Sequence, residues 1–441
     1  MEKRFTPLFA FGILLLLPCK AWTQRPANSP NQEMEAIQYA NRLMYDSLQT
    51  NRDYVNVLNQ LVAKEEYHTY PGYLDYLAAA FLYTGRVEKA VDIEDKAFPR
   101  EKKETTPKLD LYEWKPALPL LVKEAATRQV VMVNEEHRMS RHRMLTAQLL
   151  QPLYDQGYRY LALEALFGTE LLNMPFQPTL TTGFYTRDPV FAEVLREAID
   201  MGYTLVPYDI RSFPEGMNGM QRTMYREEIQ ARHLIDRILQ DDPEAKILVH
   251  VGRGHNAKVY EQQVMETDTL ILGMMAGYFR NKTGIDPLCI DQLTHEEHSD
   301  PLYESGIMRM ARRLDDKVPA LFNVLVDKTS GEWYPSTSEY DAYVVPALTH
   351  YEYGRPDWIR QWQGRERYVV EVTDYLPVAD TYYLVQAFYE HESGDDSIPA
   401  DQYAYQRGQD EVQLWLKPGT YVLRILDSAG KILWEWSDTV P

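Results

Sequence analysis

Short apolar runs rich in β-branched residues alternate along this chain with stretches whose apolar residues recur at helical spacing. Strand-like runs occupy 129–133, 160–164, 204–208, 246–251 and 288–291, and helix-like runs occupy 138–156, 189–201, 219–240 and about 268–282. Runs that are apolar on both faces suit parallel strands covered on both sides. The rhythm therefore predicts an α/β domain, a mostly parallel sheet with helices on both faces. The first run, Val130-Val131-Met132-Val133, stops abruptly at Asn134-Glu135-Glu136-His137. Polar groups at the C-terminal end of a buried strand face the crevice where open α/β sheets bind ligands.

The flanks read differently. Residues 31–100 have helical spacing, and Leu77, Ala78, Gly85, Ala90 and Ala97 show the small-residue pattern of one tetratricopeptide-type hairpin. Only one good copy is present, which favours a helical N-terminal cap over a solenoid. Residues 101–116 are charged and contain proline, as a linker would. After about residue 355 the runs 367–375, 381–389, 411–416, 421–426 and 431–436 alternate or are aromatic-rich, with Asp427-Ser428-Ala429-Gly430 as a turn. That texture predicts a C-terminal antiparallel β-sandwich, read chiefly as a support for the core. The expected organisation is a leader at 1–23, a cap and linker at 24–116, the α/β domain at 117–354 and the sandwich at 355–441.

Lys3 and Arg4 precede an apolar stretch from Leu8 to Pro18 that is too short to span a bilayer, and Ala21-Trp22-Thr23 places small residues before a cut at Gln24. This predicts export, to the periplasm or beyond. Cys19 raises a lipoprotein alternative, but Leu16-Leu17-Pro18 fits a lipid-attachment motif poorly. No later segment is long and apolar enough to span a membrane. The net charge of −19 becomes about −21 without the leader, which argues against nucleic-acid binding. Cys289 would then be the sole thiol, and its apolar setting in Pro287-Leu288-Cys289-Ile290 reads as a buried structural cysteine.

Three strand ends carry the candidate chemistry. They are Asn134-Glu135-Glu136-His137, Leu163-Glu164 and Gly252-Arg253-Gly254-His255-Asn256. In order and spacing these resemble the superfamily that contains erythromycin esterases, ChaN-like haem-binding proteins and the TIKI/TraB proteins. ChaN-like members carry Gly-Glu-x-His with a second His five residues on, which here reads Asn134-Glu135-Glu136-His137 and His142. Gly183-Phe184-Tyr185-Thr186-Arg187-Asp188-Pro189 and Tyr225-Arg226-Glu227 resemble the substrate-side loop and helix of esterase-like members. The resemblance spans about residues 120–350. Asn134 stands in place of the usual Gly, and Asn tolerates left-handed backbone angles better than most residues.

The resemblance implies a hydrolase acting on an ester or amide bond, and the leader would export it. Its catalytic residues would be Glu135, His137, Glu164 and His255. His137 or His255 would take a proton from water, Glu135 or Glu164 would fix the imidazole tautomer, and Arg226 or Arg253 would stabilise an oxyanion. A metal-assisted variant would use His137, Glu164 and His255 as ligands of a divalent ion. ChaN-like haem or iron binding is the rival reading, and a non-catalytic interaction protein on the same fold is a third. Arg138, Arg141, His142, Arg226 and Arg253 form the expected substrate-binding set for a small-molecule substrate or haem bearing an anionic group, unless they neutralise Glu135, Glu136 and Glu164. His250 reads as a satisfied core histidine and His233 as structural. His295-Glu296-Glu297-His298 lacks metal-site spacing and reads as a solvated loop.

Overall fold

The computed structural model describes residues 30–99, 109–173, 176–210, 212–264, 269–314, 318–335, 337–362, 364–372, 381–406, 408 and 411–441. The expected leader and Cys19 lie outside the described residues. Among the described residues four α-helices come first: α1 (Pro30–Arg42), α2 (Asp53–Val62), α3 (Pro71–Tyr83) and α4 (Val87–Ala97). The last two form a hairpin around Gly85, whose φ of +77° favours glycine. Ala78 and Ala90 are buried, so the two backbones approach closely.

The central region then runs through β1 (Tyr112–Pro116), α5 (Ala117–Ala125), β2 (Val130–Glu135), α6 (Ser140–Asp155) and β3 (Tyr158–Leu163). It continues with α7 (Pro189–Met201), β4 (Thr204–Pro207), α8 (Gly219–Leu234), β5 (Lys246–Gly252), β6 (Tyr260–Val264), β7 (Thr269–Gly273), α9 (Met275–Thr283) and β8 (Leu288–Asp291). Next come α10 (Gly306–Leu314), β9 (Phe322–Asp327), β10 (Trp333–Tyr334), β11 (Ala342–Tyr343) and β12 (Val345–Pro346). Six strands form one parallel sheet in the order β11-β8-β2-β5-β3-β4. Alternation of side chains divides its two faces. Val131, Val133, Leu161 and Leu248 pack under α5, α6 and α7, and Val130, Met132, Ala162 and Val249 pack under α8 and α9.

Beyond a short hairpin, β13 (Tyr351–Glu352) with β14 (Arg355–Pro356), the chain is antiparallel: β15 (Glu366–Glu371), β16 (Tyr383–Tyr389), β17 (Asp401–Tyr405), β18 (Glu411–Leu416), β19 (Gly419–Leu426) and β20 (Ile432–Val440). The β15-β18 ribbon and the sheet β17-β16-β19-β20 share a core that includes Val370, Val385, Leu414 and Leu423. Among the described residues no helix is long and apolar enough to cross a membrane.

Three expectations are corrected. The run at 268–282 does not begin as a helix: Thr269–Gly273 pairs antiparallel with β6, and the helix starts at Met275. A short apolar run does not reveal its period, so tertiary pairing decides. The expected linker at 101–116 ends in a strand, since Tyr112–Pro116 pairs with β9 and sets Tyr112 and Trp114 against a small core. His295-Glu296-Glu297-His298 is not solvated: His295, Glu296 and His298 are all buried. Helix α4 covers this segment, with Asp95 Oδ1 2.6 Å from His298 Nδ1 and Glu296 Oε1 3.1 Å from His298 Nε2. A carboxylate some 200 residues earlier in the chain is invisible to local reading.

Burial alone would lower the His298 pKa, but Asp95 and Glu296 outweigh it and raise it from 6.5 to about 9. A raised histidine stabilises the fold fully below its unfolded pKa and loses that contribution as pH climbs through the folded value. Thermal stability should therefore fall between pH 6.5 and about 9. Melting curves of the wild type and Asp95→Asn across that window check this, and the variant should show a flatter dependence.

Candidate active site at the ends of β2, β3 and β5

Strands β2 and β5 are neighbours in the middle of the sheet, and Glu135 pairs in register with Gly252. Glu135 follows Val131 and Val133 on the α6 face, where a carboxylate is almost fully enclosed, at 1% exposure. It is balanced by three groups. Its Oε2 accepts from Arg143 Nε at 2.7 Å and lies 3.0 Å from His250 Nε2, while Oε1 accepts from His137 Nδ1 at 2.9 Å. Burial pushes its pKa up, but Arg143, His250 and His137 prevail and hold it well below the usual carboxylate range. His250 is thus buried as expected, with Thr146 Oγ1 2.8 Å from its Nδ1, and it also clamps the site carboxylate. Arg143 reaches onward to Asp188, the N-cap of α7, which Ser140 also contacts at 2.6 Å.

His137 projects its imidazole across Gly252. A Cβ at that glycine would lie 2.4 Å from His137 Cε1, 2.7 Å from Nε2 and 2.9 Å from Glu164 Oε2. The glycine is needed for close approach, and it brings the ends of β2 and β3 together over β5. Glu164 Oε2 accepts from the Gly252 N–H at 2.6 Å, and Oε1 accepts from Arg226 Nη2 at 2.5 Å. Burial raises the Glu164 pKa, but Arg226, His255 and His137 bring it down to about 2. Arg226 is held by both oxygens of Asp209, each at 2.9 Å, and its Nη1 lies 3.4 Å from His255 Nε2. His255 Nδ1 is 2.6 Å from Glu227 Oε1, whose other oxygen accepts from the Met275 N–H at 2.8 Å. Burial lowers the His255 pKa, but Glu227 and Glu164 outweigh it and raise it.

The geometry therefore brings Glu135, His137, Glu164, His255 and Arg226 together. Asp209 and Glu227 complete the group. Sequence reasoning assigned neither a role, although Glu227 follows Arg226 directly and Asp209 lies just past the end of β4. Of the two carboxylates left open by the sequence, Glu135 serves the site. Glu136 turns toward the cap and meets Arg253 Nη2 at 3.1 Å.

The expected anion-binding arginines do not form an open patch. Arg138 is buried against Asp75 of α3 at 2.8 Å and Arg141 against Glu297 at 2.5 Å, while the half-buried Arg226 pairs with Glu164 and Asp209 and the half-buried Arg253 with Glu136. Every one has a carboxylate partner inside the protein, so no anionic ligand is needed to balance them. His142 is buried rather than ligand-facing. It accepts the Glu136 N–H at Nδ1, and burial lowers its pKa to about 4, which keeps it neutral. Asn134 does not adopt the left-handed angle expected of a glycine substitute. It sits in β2, gives its amide to Asp291 at 2.8 Å and accepts the Gln292 N–H at 2.7 Å, fastening β2 to β8. Cys289 is buried, and burial pushes its thiol pKa up, as expected of a structural cysteine. His233 Nδ1 lies 2.8 Å from the Tyr208 carbonyl.

Neither implied cofactor suits the residues. Among the described residues no group of three His, Cys, Asp or Glu side chains could hold a metal ion. Within the set His137, Glu164 and His255, both oxygens of the glutamate are already engaged, by the Gly252 N–H and by Arg226. The Arg226 guanidinium also stands beside His255 Nε2, where a cation would be repelled. A haem would need free cations for its propionates. It would also need a slot beside its ligand, yet the rings of His137 and Tyr185 are closed face to face at 3.9 Å.

No protein-family model and no curated protein matches the chain. Among solved structures it is similar to the type III effector HopBA1, at 15% identity and a TM-score of 0.28, over 47% of this chain and 95% of that one. It is also similar to a bacterial protein toxin, at 14% identity and a TM-score of 0.26, over 59% of this chain and 45% of the toxin. A third is RRSP, a MARTX toxin effector domain from Vibrio vulnificus CMCP6, at 14% identity and a TM-score of 0.23, over 56% and 47%. Likeness this slight identifies no family.

Gly252→Ala should displace His137 or Glu164, because the added methyl meets both side chains inside 3 Å. Overpacking of this kind costs about 1–3 kcal/mol. The melting temperature should fall accordingly, and the histidine imidazole resonances should shift; both are measurable by calorimetry and NMR on the purified variant.

Proposed function

We propose that this protein is an exported hydrolase of the erythromycin-esterase-like kind, cleaving an ester or amide bond of a small molecule without a metal. The observation that carries the reading is the Glu135–His137 pair. A buried, ionised carboxylate accepts the Nδ1–H of His137 and so directs the basic Nε2 toward Glu164. Water attacks the substrate carbonyl carbon while its proton passes to His137 Nε2. His255, whose protonated form Glu227 and Glu164 favour, returns a proton to the departing oxygen or nitrogen as the bond to carbon breaks. Arg226, 3.4 Å from His255 Nε2, stands beside the point where negative charge develops. It also opposes the imidazolium and eases loss of its proton.

The substrate is expected to be neutral or cationic around the scissile bond. Glu135, Asp188, Glu164, Asp209 and Glu227 outnumber Arg143, Arg226 and a protonated His255, so the enclosed charge is negative. That reverses the anionic ligand suggested by the arginine-rich sequence. The acidic surround also favours a protonated His255 as the acid of the pair.

The test is a panel of esters and amides, with acid release followed by titration. His137→Ala should lower turnover by roughly 10²–10⁴, the usual contribution of base assistance. Some loss of thermal stability should accompany this, because the change removes one partner of the buried Glu135 carboxylate, so turnover is compared at a temperature where the variant is folded. Absence of turnover across the panel, or a Soret band at one-to-one stoichiometry on adding haemin, would overturn the reading.

A further inference from the structure

Beside His137 stands a column of side chains that the hydrolytic scheme leaves without a role. The Tyr185 ring lies parallel to the imidazole, with centroids 3.9 Å apart and planes 13° from each other. The Arg138 guanidinium lies 5.4 Å from the centroid of the same ring. Arg138 is 1% exposed, with Nη2 2.8 Å from Asp75 Oδ2 and Nε donating to the Asp75 carbonyl at 3.0 Å. Asp75 belongs to α3, so the column starts in the N-terminal helices and ends on the candidate base.

Tyr185 has little freedom of its own. It opens a short 3-10 turn, Tyr185–Arg187, that leads into the α7 cap Asp188, the carboxylate that holds Arg143. Two residues earlier, a Cβ on Gly183 would lie 2.1 Å from the Ala165 carbonyl, so the loop is pressed against the residue after Glu164. Phe184 meets Tyr185 edge-on at 5.3 Å and stacks on Tyr45 at 5.0 Å, while its carbonyl accepts from Tyr83 at 2.7 Å. Three aromatic residues, two of them from the helical region, thus brace the turn.

The physical need is plain. The bond from Nδ1 to Glu135 fixes one point of the imidazole, and a ring held at one point still tilts about it. Catalytic groups must stay within about 0.5 Å and 10–20° of their productive geometry. A flat ring in van der Waals contact removes the tilt, and stacking of this kind adds attraction beyond area burial. We propose that Tyr185 is a positioning residue whose ring, braced by Arg138 and by Asp75 of the helical cap, sets the plane of the His137 imidazole. Its effect on turnover rests on the reading of His137 as the base; its effect on the imidazole does not.

The experiment compares Tyr185→Phe, Tyr185→Leu and Asp75→Asn in the full chain by kinetics and by proton NMR of the Nδ1–H shared with Glu135. His137→Ala identifies that downfield resonance by removing it. Tyr185→Phe keeps the ring, so kcat should stay within about threefold and the resonance should persist. Tyr185→Leu should lower kcat by about tenfold or more with little change in KM, and broaden or abolish the resonance. Asp75→Asn, remote from the ring, should produce the same changes in weaker form, and it serves if the leucine variant does not fold. A sharp resonance and unchanged kcat in both Tyr185→Leu and Asp75→Asn would overturn the proposal. So would a phenylalanine variant as impaired as the leucine one, which would point to the hydroxyl instead. If the wild type hydrolyses nothing in the panel, the hydrolytic reading fails alone and the resonance still decides the role of Tyr185.

Discussion

The site depends on one buried anion. Glu135 ends a strand that is apolar from Val130 to Val133, and its carboxylate lies almost wholly out of water. An isolated charge in that position would be driven to its neutral form, because Born solvation costs far exceed what a fold can absorb. Arg143, His250 and His137 together keep it ionised. Each brings in a further element: Arg143 ties in Asp188 and α7, His250 ties in Thr146 of α6, and His137 crosses to β3 over Gly252. Loss of one partner from a buried pair typically costs about 3–5 kcal/mol, so the same charge organises the fold around these strand ends and gives His137 its polarity.

Charge matching extends outward from there. Arg226 binds Glu164 and Asp209, Glu227 binds His255, and Arg253 binds Glu136. Burial of so many ionised groups is tolerated because their hydrogen bonds are charge-assisted and replace water. The pairs also divide the labour by pKa. Glu135 and Glu164 are held low, while His255 is held high. Environments that push neighbouring titratable groups apart are what acid–base chemistry near neutrality needs.

The N-terminal helices and the C-terminal strands share in this framework. One continuous apolar cluster runs from Ala36 and Leu77 through Leu145 and Phe191 to Leu384 and Leu426. Polar ties follow the same route: Asp75 to Arg138, Asp95 to His298, and Glu193 on α7 to Lys417. The helical region therefore reaches the candidate site, since Arg138, paired with Asp75, lies over the Tyr185 ring beside His137.

Periodicity in the sequence was enough to reveal the parallel sheet, because strands buried on both faces must be apolar throughout and helices must carry an apolar stripe. The same pattern exposed the three strand ends, since a carboxylate or imidazole closing an apolar run is conspicuous. That is why Glu135, His137, Glu164 and His255 were legible. Partners drawn from elsewhere in the chain were not. Arg138 and Arg141 look like an open cationic patch until Asp75 and Glu297 arrive from segments 63 and 156 residues away. His295 to His298 look solvated until α4 covers them, and Asp209 gains meaning only when Arg226 folds back onto it. Burial and charge pairing depend on which segments meet, and local pattern carries no record of that. The sequence by itself determined the sheet and the polar ends of its strands; only the tertiary structure decided which charges are spent inside the protein and which side chains meet beside His137.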